Sequence, residues 1–231
     1  MMESEFDKYA ADYEILHRQS ISFSGCDTGY FADYKIARAA KLFRKHCNEG
    51  DRLLDFGCGT GTSIPYFNKY MPAITPVCAD VSRQSLDAAR LRYASMATYL
   101  PIEGGRLALE SGSIGMCFTS CVFHHIAPGD HEQWLAELRR VTSPGGVLLI
   151  FEHNPLNPLT RYAVDNCAFD RDAILIKARS FEMQLQATGW TCEQTRYHVF
   201  FPGFLKRLRP VEKLLGWLPI GGQYSILAVR T

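Results

Sequence analysis

Apolar positions change their spacing several times along the chain, and these changes predict alternating helices and strands. From Asp33 to Cys47, Ile36, Ala39 and Phe43 recur at spacings of three and four, which is typical of an amphipathic helix. Short apolar runs then replace this periodicity and predict five strands, at 52–56, 74–80, 97–102, 115–123 and 146–153. The run at 115–123 is almost wholly apolar, which indicates burial on both faces.

Helix signals stand between these strands. Ser82 is predicted to cap a helix, and Asp130 with Gln133 fits a capping box for a helix that stops at Pro144–Gly146. A further helix is predicted at 171–187. Because strand and helix alternate five times, we expect an α/β fold with a doubly wound parallel sheet and helices on both faces.

The two ends of the chain depart from this alternation. Segments 190–201 and 223–231 are predicted strands, separated by a basic amphipathic helix at 203–217. Such a pair can close the sheet edge as an antiparallel hairpin with an inserted helix. Near the start, apolar spacing predicts a short helix at 5–17, followed by a loop at 18–29.

Three glycines follow the first strand at alternate positions, in "LLDFGCGTG". Glycine permits a positive φ and leaves bare backbone against a ligand, and in doubly wound sheets ligands bind beyond the carboxyl ends of the strands. A dinucleotide fingerprint starting at Gly57 would need Gly or Ala where this chain has Thr62. Asp55, before the first glycine, suits a cationic ammonium group. Asp80, at the end of the second strand, can accept hydrogen bonds from both hydroxyls of a ribose.

"LLDFGCGTG", "CADVS" and "CVFHHI" together resemble the class I S-adenosylmethionine-dependent methyltransferases, near the UbiE-like (type 11/12) subgroup. The likeness covers residues 50–152. It implies a seven-stranded Rossmann-like sheet with an antiparallel last strand, and S-adenosyl-L-methionine as cofactor. We expect one domain over 1–231, with an N-terminal lid at 1–32 and an inserted amphipathic helix at 203–219.

The resemblance also implies roles for single residues. Asp55 would contact the methionine amine, Asp80 would hold the ribose, and Val81 would lie under the adenine. Glu103, in "PIEGGRL", matches the position from which relatives bind the adenine amino group. The other expected cofactor contacts are Gly57, Cys58, Gly59, Gly61, Ser120 and Cys121.

Polar residues at the end of the fifth strand are candidates for the chemistry. His153 is the candidate general base, and Glu152 and Asn154 are candidate acceptor-binding residues. Alternatively, Glu152 and His153 hydrogen-bond loop backbone. Asp165 and Asp170 could bind substrate or, for Asp170, cap the next helix. Because an alcohol acceptor usually needs a base, these residues favour O-methylation.

Three further features have alternative interpretations. Tyr9 and Tyr13 share a helix face and either pack on the sheet or close over the acceptor as part of the lid. Lys35 either meets the cofactor carboxylate or stays solvated. His124 and His125 are adjacent, so we expect their side chains to diverge, and no metal site is predicted.

The segment 203–217 alternates basic and large apolar residues. It is interpreted as a cover over the acceptor pocket. The alternatives are a membrane-surface contact that admits a lipid or lipid-linked acceptor, or a protein interface. Pro210 interrupts the predicted helix and weakens a continuous membrane-lying face.

Composition limits the classes of partner. A net charge of +1 gives no overall electrostatic attraction to nucleic acid, so we expect a small-molecule acceptor. The alternatives are a methyltransferase that acts on RNA or protein, and a non-catalytic module that binds the cofactor. No apolar run approaches the roughly 18 residues of a membrane span, and the acidic start lacks signal-peptide features. We therefore expect a soluble cytoplasmic protein. The eight cysteines form no Cys-x-x-Cys pair and are expected to be reduced thiols.

Overall fold

Seven strands form one sheet in the order β3-β2-β1-β4-β5-β7-β6. The structure, a computed structural model, describes residues 28–167, 170 and 172–231. The strands are β1 (Leu53–Phe56), β2 (Val77–Asp80), β3 (Thr98–Pro101), β4 (Ile114–Ser120), β5 (Thr142–His153), β6 (Thr191–His198) and β7 (Gln223–Val229). Strands β1 to β5 pair in parallel, and β7 is antiparallel to both β5 and β6. The predicted doubly wound sheet with a reversed last strand is confirmed.

Helices cover both faces of this sheet. They are α1 (Thr28–His46), α2 (Ile64–Tyr70), α3 (Arg83–Tyr93), α4 (His131–Val141), α5 (Pro158–Asp165), α6 (Ala178–Ala187) and α7 (Glu212–Leu215). Helices α1 and α2 pack on one face through side chains such as Ile36 and Phe67. Helices α4 and α6 pack on the other through Leu138 and Phe181. Along β5 the buried side chains alternate between the two cores, so each face of the strand supports a different helix layer.

Two helix starts differ from the sequence-based prediction. The Ser82 side chain does cap α3, accepting from the Ser85 backbone N–H at 3.0 Å. Asp130 occupies the N-cap of α4 but makes no side-chain capping bond, and Gln133 Nε2 instead donates to the Gly105 carbonyl. The predicted capping box is therefore wrong. Helix α6 begins at Ala178, so a helix from 171 is also wrong.

The glycine-rich break and the inserted segment also differ. Pro144–Gly146 fall inside β5, where the register shifts against β4, rather than in a loop before it. The predicted helix at 203–217 is a 3₁₀-helix at Gly203–Val211 followed by the single turn α7. Pro210 lacks the N–H that a continuous α-helix would need there. The predicted helix at 5–17, with Tyr9 and Tyr13, lies outside the described residues.

Within the described residues, no helix is both long enough and apolar enough to cross a membrane.

Candidate functional site

A cavity of about 940 Å³ opens at the carboxyl ends of β1, β2, β4 and β5. Volumes in this range accommodate a cofactor together with a small second molecule. The cavity wall contains most of the residues that the sequence singles out, namely Asp55, Gly57, Cys58, Gly59, Asp80, Val81, Ser120, Cys121 and His153. The doubly wound topology explains this convergence, because the strand ends of a parallel sheet share one edge.

The three motif glycines serve different purposes. All three have positive φ, at 74° for Gly57, 53° for Gly59 and 79° for Gly61. A Cβ added at Gly57 would lie 2.4 Å from a Val122 methyl, and one added at Gly61 would lie 2.7 Å from an Ile64 methyl. An added Cβ at Gly59 meets nothing within 4 Å. The outer glycines are thus needed for packing, whereas Gly59 presents bare backbone to the cavity.

Asp80 fixes the shape of this glycine turn. Its Oδ2 accepts from the Gly59 N–H at 2.7 Å, and its Oδ1 accepts from the Ser82 N–H at 2.9 Å. The carboxylate therefore ties the end of β2 to the loop after β1. Val81 follows with 45% of its surface exposed at the cavity wall. Asp80 and Val81 stand where the resemblance expects the ribose and adenine contacts.

Asp55 is a buried carboxyl with an unmet hydrogen-bonding requirement. It is 2% exposed, and its Oδ2 has no hydrogen-bond partner among the described residues. Burial, together with the negative charge of Asp80, raises the pKa of Asp55 to about 8. A buried carboxyl without a partner is costly unless a cation or a donor reaches it. An ammonium group in the cavity would supply both, so the residues present fit S-adenosylmethionine.

Lys35 reaches the cavity from α1. It is only 6% exposed, and its Nζ donates to Ser120 Oγ at 2.8 Å and to Cys121 Sγ at 3.5 Å. The alternative that Lys35 is solvated is therefore wrong. Its positive charge lies at the end of β4, where two of the predicted cofactor contacts stand.

Cys121 and His153 both lie in the cavity wall, and the charge of each shifts the pKa of the other. Burial alone would raise the pKa of Cys121, but the charges of His153 and Lys35 lower it to about 6. Burial opposes protonation of His153, yet the charge of Cys121 outweighs it and raises the pKa of His153. Both shifts favour the charged forms, a thiolate for Cys121 and an imidazolium for His153.

Glu152 and Asn154 have backbone partners instead of facing the cavity. Glu152, 1% exposed, accepts from the backbone N–H groups of Val122 and Phe123 and from His124 Nδ1 at 2.6 Å. Asn154 Nδ2 donates to two carbonyls of the loop before β7, at 2.7 and 3.0 Å. Neither residue lies in the cavity wall. For Glu152 the structure agrees with the alternative that its side chain hydrogen-bonds loop backbone.

The two remaining acidic candidates, Glu103 and Asp170, differ in their position relative to the cavity. Glu103 is exposed and forms an ion pair with Arg83, and it is absent from the cavity wall. Asp170 does not cap α6, which begins at Ala178 with Lys177 at its N-cap. It lies in the cavity wall beside the histidine pair.

Sequence reasoning missed the convergence of the two histidines. A 3₁₀ turn at Phe123–His125 places the rings of His124 and His125 with centroids 4.1 Å apart and planes tilted by 49°. Both Nε2 atoms face Asp170 Oδ1, at 3.7 Å and 3.3 Å. The expectation that the two side chains diverge is wrong. The apolar far wall, which includes Phe31, Leu159 and Phe200, was also missed, since no motif marks it.

Comparisons with known proteins agree with this geometry. The family described as "Methyltransferase domain" matches residues 54–150. A malonyl-[acyl-carrier protein] O-methyltransferase of Serratia marcescens is 37% identical over 100 residues, which cover 43% of this chain and 37% of that protein. A demethylmenaquinone methyltransferase of Deinococcus radiodurans is 28% identical over 155 residues, covering 67% of this chain and 61% of that protein. The matches thus span about one to two thirds of these relatives.

A solved structure extends the likeness to the whole fold. The crystal structure of a SAM-dependent methyltransferase from Thermotoga maritima superposes with a TM-score of 0.68 at 17% identity, and the match covers 100% of both chains. At that identity the likeness shows the fold. Residues 54–150 thus match the methyltransferase-domain family, and the chain as a whole shares the fold of that solved methyltransferase.

Proposed function

We propose that the protein binds S-adenosylmethionine in this cavity and transfers its methyl group to an oxygen atom of a small-molecule acceptor. The observation that carries the proposal is the buried Asp55 carboxyl beside the glycine turn that Asp80 holds open. An ammonium group would neutralise Asp55, and the space over Gly59 would receive the adjoining part of the cofactor. One domain carries all of these residues.

When bound, the cofactor supplies a methyl carbon activated by a positively charged sulfur. The chain's own contribution is alignment and removal of a proton. Asp55 and Asp80 would fix the cofactor at two points, leaving the end of β4 beside its reactive region. Cys121 and His153 lie in the same wall, and in the favoured charged form the Cys121 thiolate is the group that can accept a proton from an acceptor hydroxyl. His153 remains our candidate base, and it can accept a proton only in its neutral form, which its raised pKa disfavours.

The choice of a small oxygen acceptor has two supports. The cavity is about 940 Å³, enough for the cofactor and one modest second molecule. The proton-accepting side chains Cys121 and His153 in its wall suit a hydroxyl acceptor, because an amine acceptor needs less help with proton removal. The similarity to a malonyl-[acyl-carrier protein] O-methyltransferase supports oxygen as the methylated atom.

One observation favours a second candidate, an amphiphilic or lipid-linked acceptor admitted at a membrane surface. In the inserted segment Phe204 is 84% exposed, and Leu214 and Trp217 are each 74% exposed. Phe204 also belongs to the cavity wall, so the segment reaches the cavity through this side chain. Lys206, Arg207 and Lys213 stand among these side chains and would suit anionic headgroups.

The first experiment measures cofactor binding by calorimetry with S-adenosylmethionine and S-adenosylhomocysteine. Asp80→Ala should abolish binding, whereas Asp87→Ala, at an exposed aspartate on α3, should bind as the wild type does. Absence of binding to the wild type would overturn the proposal.

The second experiment identifies the acceptor with radiolabelled cofactor. Labelling of a hydroxyl compound, and not of amines, is the expected result. Label in RNA or protein would replace the proposal by the macromolecular alternative. Cofactor binding without turnover on any fraction of a cell extract would identify a non-catalytic binding module. Turnover that requires anionic vesicles would select the lipid-linked acceptor.

A further inference from the structure

Three side chains that the cofactor assignment does not use converge on one point of the cavity wall. The ligand-capable atoms of His124, His125 and Asp170 all lie within 4.8 Å of one another. Both Nε2 atoms approach the same carboxylate oxygen, at 3.7 Å for His124 and 3.3 Å for His125. A tetrahedral ion with bonds of about 2.0–2.1 Å separates its ligand atoms by about 3.3–3.4 Å. Two of the three donor separations are therefore close to this ligand spacing, and all three lie within 4.8 Å.

A second carboxylate orients the histidine at the centre of this cluster. Glu152 Oε2 accepts from His124 Nδ1 at 2.6 Å, and two backbone N–H groups hold the other carboxylate oxygen. The bond fixes the orientation of the imidazole ring with Nε2 toward Asp170, and a bound ion would replace the proton on that nitrogen. Carboxylate–histidine pairs of this kind are the usual support for a histidine that binds a metal.

The cluster is also open on one side. His124 is fully enclosed at 1% exposure, while the side chains of His125 and Asp170 retain 13% and 14%. All three belong to the wall of the cavity that also contains His153. An ion held by these donors would have its protein ligands on the wall side and a vacant position toward the cavity, as metal sites that bind a substrate do.

We propose that His124, His125 and Asp170 form a binding site for one divalent transition-metal ion, with Zn²⁺ as the best match. Two imidazole nitrogens and one carboxylate oxygen suit Zn²⁺ and its neighbours, whereas Mg²⁺ and Ca²⁺ prefer all-oxygen sites. The vacant position would take an anionic or hydroxyl oxygen and increase its acidity. The assignment of that oxygen to the methyl acceptor rests on the proposed function. Metal binding itself does not depend on the proposed function.

The test uses the full-length, tag-free protein, stripped with a chelator and without cofactor. Titration with Zn²⁺ at about pH 8, where protons compete less for the ligands, should show one ion bound per chain. Asp170→Asn and His125→Gln should each weaken binding at least about 100-fold. His46→Gln, at a histidine near the end of α1 and away from the cavity, is the matched control and should bind as the wild type does. Mg²⁺ should bind far more weakly than Zn²⁺.

Spectroscopy keeps the test decisive if a variant fails to fold. Co²⁺ bound to the wild type should give visible bands of a nitrogen- and oxygen-ligated ion, without the near-ultraviolet band of thiolate ligation. Absence of stoichiometric binding, a thiolate band, or affinity unchanged in both folded variants would each overturn the site. Titration with S-adenosylhomocysteine on the stripped protein separates the two proposals. If the protein binds S-adenosylhomocysteine but no metal ion, only the metal site is refuted. If it binds the metal ion but not S-adenosylhomocysteine, only the proposed function is refuted.

Discussion

Asp55 is the buried carboxyl on which the cofactor assignment depends, and replacing it with Asn affects stability and binding in opposite directions. In the folded, empty protein the pKa of Asp55 is about 8, against a value of 3.8 for an unperturbed aspartate. Between those values the folded state holds a proton that the unfolded state has lost. The wild-type protein therefore loses stability as the pH rises toward 8, because folding must keep that carboxyl protonated.

The size of the effect follows from this linkage. Each pH unit between the two pKa values costs the folded wild type up to about 1.4 kcal/mol. From pH 5 to pH 8 the cost approaches about 4 kcal/mol. Asn resembles the protonated acid and does not titrate, so Asp55→Asn should match the wild type only below about pH 4, exceed its stability by roughly 1–2 kcal/mol near pH 5, and exceed it further near pH 8. For a chain of this size the difference in Tm would be on the order of 10 °C.

Cofactor binding should change in the opposite sense. An ammonium group of the cofactor would donate a charge-assisted hydrogen bond to the ionised carboxylate of Asp55, worth about 1.5–3 kcal/mol, and Asn cannot reproduce it. Asp55→Asn should therefore bind S-adenosylhomocysteine roughly 10- to 100-fold more weakly. Because wild-type binding must ionise Asp55, its affinity should rise with pH up to about 8, and the variant's should not.

The assay is thermal unfolding of the empty proteins at half-unit steps from about pH 5 to pH 9, with calorimetry of cofactor binding at the same points. Asp87→Asn is the control, since its side chain is 72% exposed and its Tm should follow the wild type at every pH. A stability difference that does not vary with pH would refute the high pKa of Asp55. Unchanged cofactor affinity would refute its contact with the ammonium group.

Three further predictions test other parts of the site. Gly59→Ala should weaken cofactor binding at least about 10-fold, because the added methyl group enters the cavity. Gly50→Ala is the control, since Gly50 also has a positive φ and open space around it. It should show only the backbone strain of about 1–2 kcal/mol and leave cofactor binding unchanged. His153→Gln should lower kcat by roughly 10²- to 10⁴-fold with cofactor affinity retained, and an unchanged kcat in labelled-cofactor turnover would remove His153 as the base. Glu152→Gln should lower the free energy of unfolding by about 3–5 kcal/mol in urea denaturation, because His124 loses its buried charged partner, and a loss below about 1 kcal/mol would contradict that role.

The parts of the fold that follow local rules could be predicted from the sequence. Period changes located the strands, and the Ser82 cap was visible because its hydrogen bond spans only three residues. The Asp130–Gln133 pair has an equally good local pattern and fails, since Gln133 finds a partner at Gly105, far away in the sequence. The helix expected from residue 171 fails for a similar reason, because apolar spacing does not locate the start of a helix.

The candidate site divides in the same way. The glycine turn and Asp80 could be predicted because chain neighbours and adjacent strand ends determine them. The burial of Lys35 depends on how α1 crosses the sheet, and no spacing encodes that. The inward direction of Glu152 follows from strand alternation, but its partners lie after β4, about thirty residues earlier in the chain, and only the folded protein shows them.

The pairing of Cys121 with His153 has a consequence for chemical reactivity. With a pKa of about 6, this sulfur is largely a thiolate at neutral pH, and it faces the cavity. Burial raises the pKa of Cys47, Cys117 and Cys192 to between about 11 and 12, so those sulfurs stay protonated. Iodoacetamide or dilute peroxide should therefore modify Cys121 first among these four, and a bound cofactor should protect it. Peptide mass spectrometry of briefly treated protein would show this selectivity, and preparations without a reductant should lose methyl transfer before they lose their fold.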